Sequence, residues 1–417
     1  MEKMVYFLVS LLKRIKSDLS ISAIVAGLIA VAVGFAGPVL LIFQAAKVAN
    51  LSNANLSSWI WAISVASGLT AIILSIRFKA PVITAWSTPG VVLLISGWKV
   101  YSYSDAIGAF IFSGLIITIF GVTGLFSAFM KRIPYSIITA MLAGILLNFG
   151  VDVFVSLKQL PMLALPMILC YLISKRWFPR YSVVASLLLG ILVSYSLNIL
   201  NLAEVDVSLV HPIFTRPTFS LKAMVGLGIP LCIVTMASQN ATGIGVLRAD
   251  GYNIPINPLI TTTGIASIIF APFGAHGINL SALIAAICTG KEAHIDPDKR
   301  YIAGISCGIF YILFGVFGAT IVSVFTIFPS ELIVVITGLA LMGSISSSLS
   351  SAMKDDEKKD AALITFLVTI SGISIAGVGA PFWGLIIGII TNYILEGDLR
   401  KIFPSKIAQN CKKGTGE

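Results

Sequence analysis

Two clusters of polar and helix-breaking residues sit inside otherwise apolar runs, and they are where this chain could do chemistry. The first is Ala85-Trp86-Ser87-Thr88-Pro89-Gly90, within a run from Pro81 to Gly97. The second is Ala271-Pro272-Phe273-Gly274-Ala275-His276-Gly277, with Asn279 and Ser281 after it in a run that ends at Gly290. Ser87 or Thr88 can cap a helix, and Pro89 carries the fixed φ of a first-turn residue, so a helix is expected to start there. A second is expected near Asn279 or Ser281. In hydrocarbon, broken helices survive only when buried in protein or lining a cavity. Two helix amino termini facing one another near the midplane would present positive dipole ends to an anion. Two kinks in ordinary packed helices are the plainer alternative.

The charged residues narrow the chemistry. None of the eighteen acidic residues falls in the middle of an apolar run; Asp105, Asp152 and Glu331 come nearest, each at an end. Of the three histidines, His211 and His294 fall in loops and His276 falls in the second break. An unperturbed imidazole titrates near pH ~6.5. His276 therefore either handles a proton or stays neutral, bonded to a carbonyl that shapes the break. Ser238-Gln239-Asn240 places three polar side chains deep in another apolar run. They contact a substrate or ion, or they hold helices together. Gln44 is a lone polar residue near the outer end of the first run.

Other constellations lead elsewhere. His294, Asp296 and Asp298 read as a solvated loop rather than metal ligands. Cys170, Cys232, Cys288, Cys307 and Cys411 lack metal spacing and read as small packing residues, Cys411 in a terminal tail. No mid-membrane acidic pair, His-Glu-x-x-His or Cys/His cluster is present, which argues against an intramembrane enzyme.

The elements that carry these residues follow from composition. The chain has 417 residues, 57% apolar and 11% charged, with a net charge of +10. Soluble domains carry about 25% charged residues, so the chain reads as an all-α polytopic membrane protein. Its cations lie in short loops, which argues against nucleic acid. Fourteen apolar segments are expected, at 21–46, 57–76, 81–98, 105–130, 134–157, 159–174, 182–202, 221–246, 258–273, 275–290, 301–327, 330–352, 361–378 and 382–396. With the amino terminus cytoplasmic, inside loops hold 23 Lys and Arg and outside loops hold 5. This agrees with the positive-inside rule and puts both termini inside. Met4 to Leu12 reads as an interfacial helix, because Lys13, Arg14 and Lys16 follow it instead of a cleavage site. Trp59, Trp61, Trp98, Tyr101 and Tyr103 fall near outer ends, where amphipathic rings favour the interface.

The connection from Asn201 to Ser220 separates seven segments from seven, so any repeat is inverted. Pro81 and Pro272 are 191 residues apart, and Pro38 and Pro230 are 192 apart. Short Gly/Pro-interrupted segments in corresponding places of two halves point to a transporter binding site.

The chain resembles the BenE-type benzoate/proton symporters. The resemblance rests on residues 85–90, on Ala237-Ser238-Gln239-Asn240 with Gly243, Gly245 and Arg248, and on Ala271-Pro272-Phe273-Gly274, His276, Asn279-Leu280 and Gly290 through His294. That family is similar to the UraA and sulfate-permease type transporters. The resemblance implies a seven-plus-seven inverted repeat in which segments 3 and 10 are each a short strand followed by a half-helix. It implies a core domain from 21–132 and 221–328 and a gate domain from 133–220 and 329–397, flanked by an amino-terminal segment at 1–20 and a cytoplasmic tail at 398–417. The gate is the implied dimer surface. UraA-like relatives use carboxylates in segments 8 and 10, where this chain has Ser238-Gln239-Asn240 and His276.

On this reading the protein is a cell-membrane secondary transporter carrying an aromatic carboxylate with a proton, and it needs no other cofactor and no metal. Thr84, Ser87, Thr88, Asn279 and Ser281 would donate to the carboxylate, and Trp86 or Phe273 would flank the ring. Ser238, Gln239 and Asn240 would close the site, and His276 would take the proton. The alternatives are an uncoupled anion channel or exchanger, or a carrier of another small organic anion, on the same fold.

Overall fold

The structure, a computed structural model, describes residues 13–36, 38–98, 100–126, 134–178, 182–200, 207–281, 283–291, 293–375 and 378–395. The expected interfacial helix at 4–12, the tail at 398–417 and Cys411 lie outside the described residues.

The chain is built of apolar helices. Eight helical spans among the described residues are long and apolar enough to cross a membrane, and Ser182–Ser196 and Ala380–Leu395 are shorter apolar helices. The first apolar run forms α1 (Ile21–Ala36) and α2 (Pro38–Val48). Pro38 has no N–H for the preceding turn and restricts the residue before it, so a new helix starts there. Next comes α3 (Asn53–Phe78), capped by Ser52, whose hydroxyl accepts from Asn55 N; Lys79 ends it in the left-handed region at φ 48°. The third run is not a continuous helix. It is strand β1 (Thr84–Trp86) followed by α4 (Thr88–Gly97). Then follow α5 (Tyr103–Thr123), α6 (Tyr135–Gln159), α7 (Pro161–Trp177) and α8 (Ser182–Ser196). Met162, Leu165, Leu169, Leu172 and Ile173 of α7 are exposed, as expected of a lipid-facing surface.

The second half opens with α9, residues 221–249, in which π-helical turns at Met224–Gly228 and Thr235–Asn240 interrupt the α-helix. A π-turn inserts one residue per turn and rotates the side chains beyond it; such turns cluster at functional sites. Helix α10 (Ile256–Phe270) passes into a 3-10 turn at Ala271–Phe273. Strand β2 (Ile278–Leu280) and α11 (Leu283–Thr289) follow. This helix starts later than the expected Asn279 or Ser281, because 278–280 is drawn into a strand. The eleventh run splits into α12 (Tyr301–Val316) and α13 (Gly318–Thr326). The chain ends in α14 (Ser330–Ala352), α15 (Lys359–Ile370), a small hairpin of β3 (Ser374–Ile375) and β4 (Val378–Gly379), and α16 (Ala380–Leu395).

Residues 207–220 are not a loose linker. Val210 N donates to Val316 O at 3.0 Å, Thr215 N to Pro272 O at 2.7 Å and Thr218 N to Ser104 O at 3.1 Å. Ile213 N donates to Ser58 Oγ at 2.9 Å, and Ser208 N to Thr320 Oγ1 at 3.2 Å. The extended strap is thus bonded to α3, α5, α12, α13 and the turn after α10.

Candidate functional site

Strands β1 and β2 cross in the buried interior and pair antiparallel, Thr84 opposite Leu280, Ala85 opposite Asn279 and Trp86 opposite Ile278. Ser87 N to Gly277 O (3.2 Å) and Ser281 N to Ile83 O (3.0 Å) extend the ladder. Two broken segments therefore satisfy one another's backbone where no water is available. Ser87 caps α4: its hydroxyl accepts from Gly90 N at 3.1 Å and bonds Thr235 Oγ1 at 3.1 Å. Pro89 sits in the first turn, as the sequence predicts.

Several polar residues expected to face a substrate are committed to this crossing. Thr84 is fully buried against α3, donating to Ser67 O at 2.7 Å and lying 2.7 Å from Thr70 Oγ1. Asn240, in the second π-turn of α9, accepts from Leu280 N at 2.9 Å through Oδ1. Asn279, with its amide turned to satisfy both ends, accepts from Ser87 N and donates to Leu280 O, each at 2.9 Å. Ser238 donates to Val234 O at 2.6 Å within its own helix. The side chains of Thr88, Gln239 and Ser281 make no hydrogen bond among the described residues, and Thr88 and Gln239 are half-buried. Gln44 Oε1 is buried with no partner among the described residues.

His276 is 1% exposed and both its ring nitrogens are engaged. Trp59 Nε1 lies 3.0 Å from Nδ1, and Nε2 lies 3.0 Å from the Ser87 carbonyl. The indole nitrogen can only donate and the carbonyl can only accept. Nδ1 therefore presents its lone pair, Nε2 carries the hydrogen, and the ring is the neutral Nε2–H tautomer. The ring sits where it does because the turn before it needs glycine. Gly274 has φ 109°, and a Cβ there would lie 3.0 Å from Trp59 Cα.

The aromatic rings fall into separate groups. Trp86 is 3% exposed and packs edge-on to Phe35 of α1 (4.9 Å between centroids) and Tyr311 of α12 (5.7 Å). Phe314 joins them through Phe35 at 5.1 Å. Trp86 Nε1 and Tyr311 Oη are both buried with no hydrogen-bond partner among the described residues. Phe273 belongs to an outer group instead, with Trp61 at 5.6 Å and Phe214 of the strap at 5.9 Å. The structure does not bring Phe273 together with Trp86.

Sequence reasoning missed Phe35, Tyr311 and Thr235, and it misread Trp59. Expected as an interface ring, Trp59 is fully buried, stacked on Trp98 (5.7 Å, 11°) and bonded to His276. An indole at a segment's outer end looks the same in sequence whether it faces headgroups or a histidine 217 residues away.

Comparison with known proteins agrees with this architecture. The family model described as "Benzoate membrane transport protein" (BenE) matches residues 17–394. The "Benzoate membrane transport protein" of Acinetobacter baylyi is 42% identical over 386 residues, 93% of this chain and 98% of that protein. "Inner membrane protein YdcO" of Escherichia coli is 41% identical over 373 residues, 89% of this chain and 95% of that protein. Among solved structures, SLC26A9 aligns with a TM-score of 0.59 at 14% identity, covering 91% of this chain and 66% of that one. The transmembrane domain of the cyanobacterial bicarbonate transporter BicA aligns with a TM-score of 0.54 at 15% identity, covering 90% and 96%. At such identities these two likenesses speak for the fold alone. By the family match and the extent of its relatives, the chain belongs to the benzoate membrane transport family, a family of membrane transporters and not of enzymes.

Proposed function

We propose that the protein carries an aromatic carboxylate such as benzoate across the cell membrane together with a proton. One observation carries this reading. Trp86 holds a buried indole N–H that has no partner among the described residues, inside a cluster of aromatic rings and next to the capped first turn of α4. A buried unpaired donor is costly, by about 1–3 kcal/mol, and a bound anion removes that cost. Rings around the donor suit an aryl group, which prefers edge-on or offset contacts.

In this reading the aryl ring lies against Phe35, Trp86 and Tyr311. The carboxylate takes hydrogen bonds from the donors that the crossing has left free: Trp86 Nε1, Thr88, Gln239 and Ser281. Ser87, Asn240 and Asn279 act one step back, by holding the crossing in shape. His276 takes the proton on Nδ1, the nitrogen without a hydrogen in the tautomer its partners select. The core at 21–132 and 221–328 moves against the gate at 133–220 and 329–397, with both termini cytoplasmic.

The test is uptake of labelled benzoate into proteoliposomes under an imposed pH gradient. The expected result is accumulation on the alkaline side that reverses when the gradient is reversed. Uptake indifferent to the gradient's direction would remove proton coupling. No uptake of any aromatic acid would remove the substrate class. A second reading, uncoupled movement of the anion on the same fold, is favoured by the two engaged nitrogens of His276, which leave no free site for a proton in this state. Electrogenic benzoate current without proton flux is its signature.

A further inference from the structure

We infer that Trp59 is the positioning residue that decides when His276 can accept a proton. The inference rests on the proposed proton role of His276 and adds its control. A second proton on the ring must go to Nδ1. There it would point at the indole N–H of Trp59 across 3.0 Å, donor against donor. Protonation and the Trp59 contact are therefore mutually exclusive. The indole must withdraw, or the imidazole must turn, before His276 becomes a cation.

Among the described residues, no charged group pairs with the cation. From α3 the ring meets Trp59, and from α5 it meets Phe110 edge-on at 6.3 Å. From α4 it meets the carbonyl of Ser87. Tyr103 of α5 approaches the turn before the ring: its hydroxyl would lie 2.9 Å from a Cβ on Gly274. Asp105, also on α5, is half-buried and bonded to Ser102 and Thr218 instead. From α9, Thr235 approaches Gly277. No carboxylate, lysine or arginine among the described residues forms an ion pair with His276. A proton on Nδ1 thus gains nothing to offset the lost Trp59 bond, unless an anion arrives.

Trp59 is also placed to sense movement of α4. His276 is bonded to Ser87, the cap at one end of α4, and Trp59 stacks on Trp98, the residue that ends α4 at the other. A shift of α4 that slides Trp98 loosens the indole and frees Nδ1. Substrate binding at the first turn of α4 and proton acceptance by His276 are linked through one short helix.

The experiment measures benzoate uptake against pH for wild type, Trp59→Phe, and a protein with benzothienylalanine at position 59, which keeps the indole's shape without its N–H. Removing the donor removes a bond made to the neutral ring, so the cation forms at higher pH. Both replacements are expected to move the half-maximal pH upward by about one unit. His276→Gln is expected to flatten the profile. If His276→Gln flattens it while neither replacement at Trp59 moves it, the control by Trp59 is overturned and the proton site stands. If His276→Gln leaves the profile intact, the proton reading falls and this inference falls with it. A nitrogen-15 spectrum of histidine-labelled protein, assigned through His276→Gln, gives an independent check. An Nδ1–H tautomer for His276 overturns the inference whatever the uptake data show.

Discussion

Asn240 Oδ1 accepts a hydrogen bond from Leu280 N at 2.9 Å, tying the second π-turn of α9 to strand β2. The bond closes the ladder of the crossing on its α9 side, where Gly243 also lets the helix backbone come close to Leu280. Asn240→Leu leaves a buried N–H unpaired and is expected to lower stability by about 1–3 kcal/mol. Thermal unfolding in detergent reads this directly. A variant that melts like wild type but binds benzoate weakly would mean that Asn240 faces the substrate instead.

Trp86 is the opposite case, a buried donor with no acceptor among the described residues. Trp86→Phe keeps a ring against Phe35 and Tyr311 and removes the N–H. A hydrogen bond to a charged partner is worth about 1.5–3 kcal/mol, so the dissociation constant for benzoate should rise roughly 10- to 150-fold. A neutral analogue such as benzamide should lose less. Calorimetric titration of both ligands checks the prediction. Equal losses for the two would assign Trp86 to shape alone.

Thr84 separates position from role. It lies beside the crossing, yet its hydroxyl is turned to the Ser67 carbonyl and Thr70 of α3. Thr84→Val removes those bonds at nearly constant shape, at a cost of roughly 1 kcal/mol in stability. Benzoate affinity is expected to stay at the wild-type value. A large loss of affinity without a change in melting temperature would return Thr84 to the substrate-binding set.

These contrasts mark what was legible in the sequence. The break at Ser87-Thr88-Pro89 was legible because capping is local chemistry: a hydroxyl and a proline at the right spacing start a helix wherever they lie. The second break was legible through Pro272, Gly274 and Gly277. Asn240, Asn279 and Thr84 read in the sequence as substrate contacts, and the structure gives each a partner within the protein. A polar atom in an apolar run announces that it needs a partner, but the partners here are brought close only by the fold: Leu280 N for Asn240, Ser87 N for Asn279 and the Ser67 carbonyl of α3 for Thr84. Phe35 and Tyr311 gave no signal, because an aromatic residue in an apolar run is indistinguishable from core. The fate of His276 hinged on Trp59, whose position in sequence fitted the membrane interface equally well.

The strap at 207–220 bears on how the parts move. Family resemblance would assign it to the gate, since it follows α8. Its hydrogen bonds run to α3, α5, α12, α13 and the turn after α10. All of these lie within the 21–132 and 221–328 stretches of the proposed core. The boundary of the moving body would then fall before residue 207 rather than at 220. A disulfide between Ser208→Cys and Thr320→Cys, positions now joined by hydrogen bonds of 3.2 and 3.3 Å, tests this. If strap and core travel together, cross-linked protein takes up benzoate as fast as the reduced protein, because the bond joins parts with no relative motion. If the strap belongs to the gate, the same bond spans the moving boundary and arrests transport, and reduction restores it.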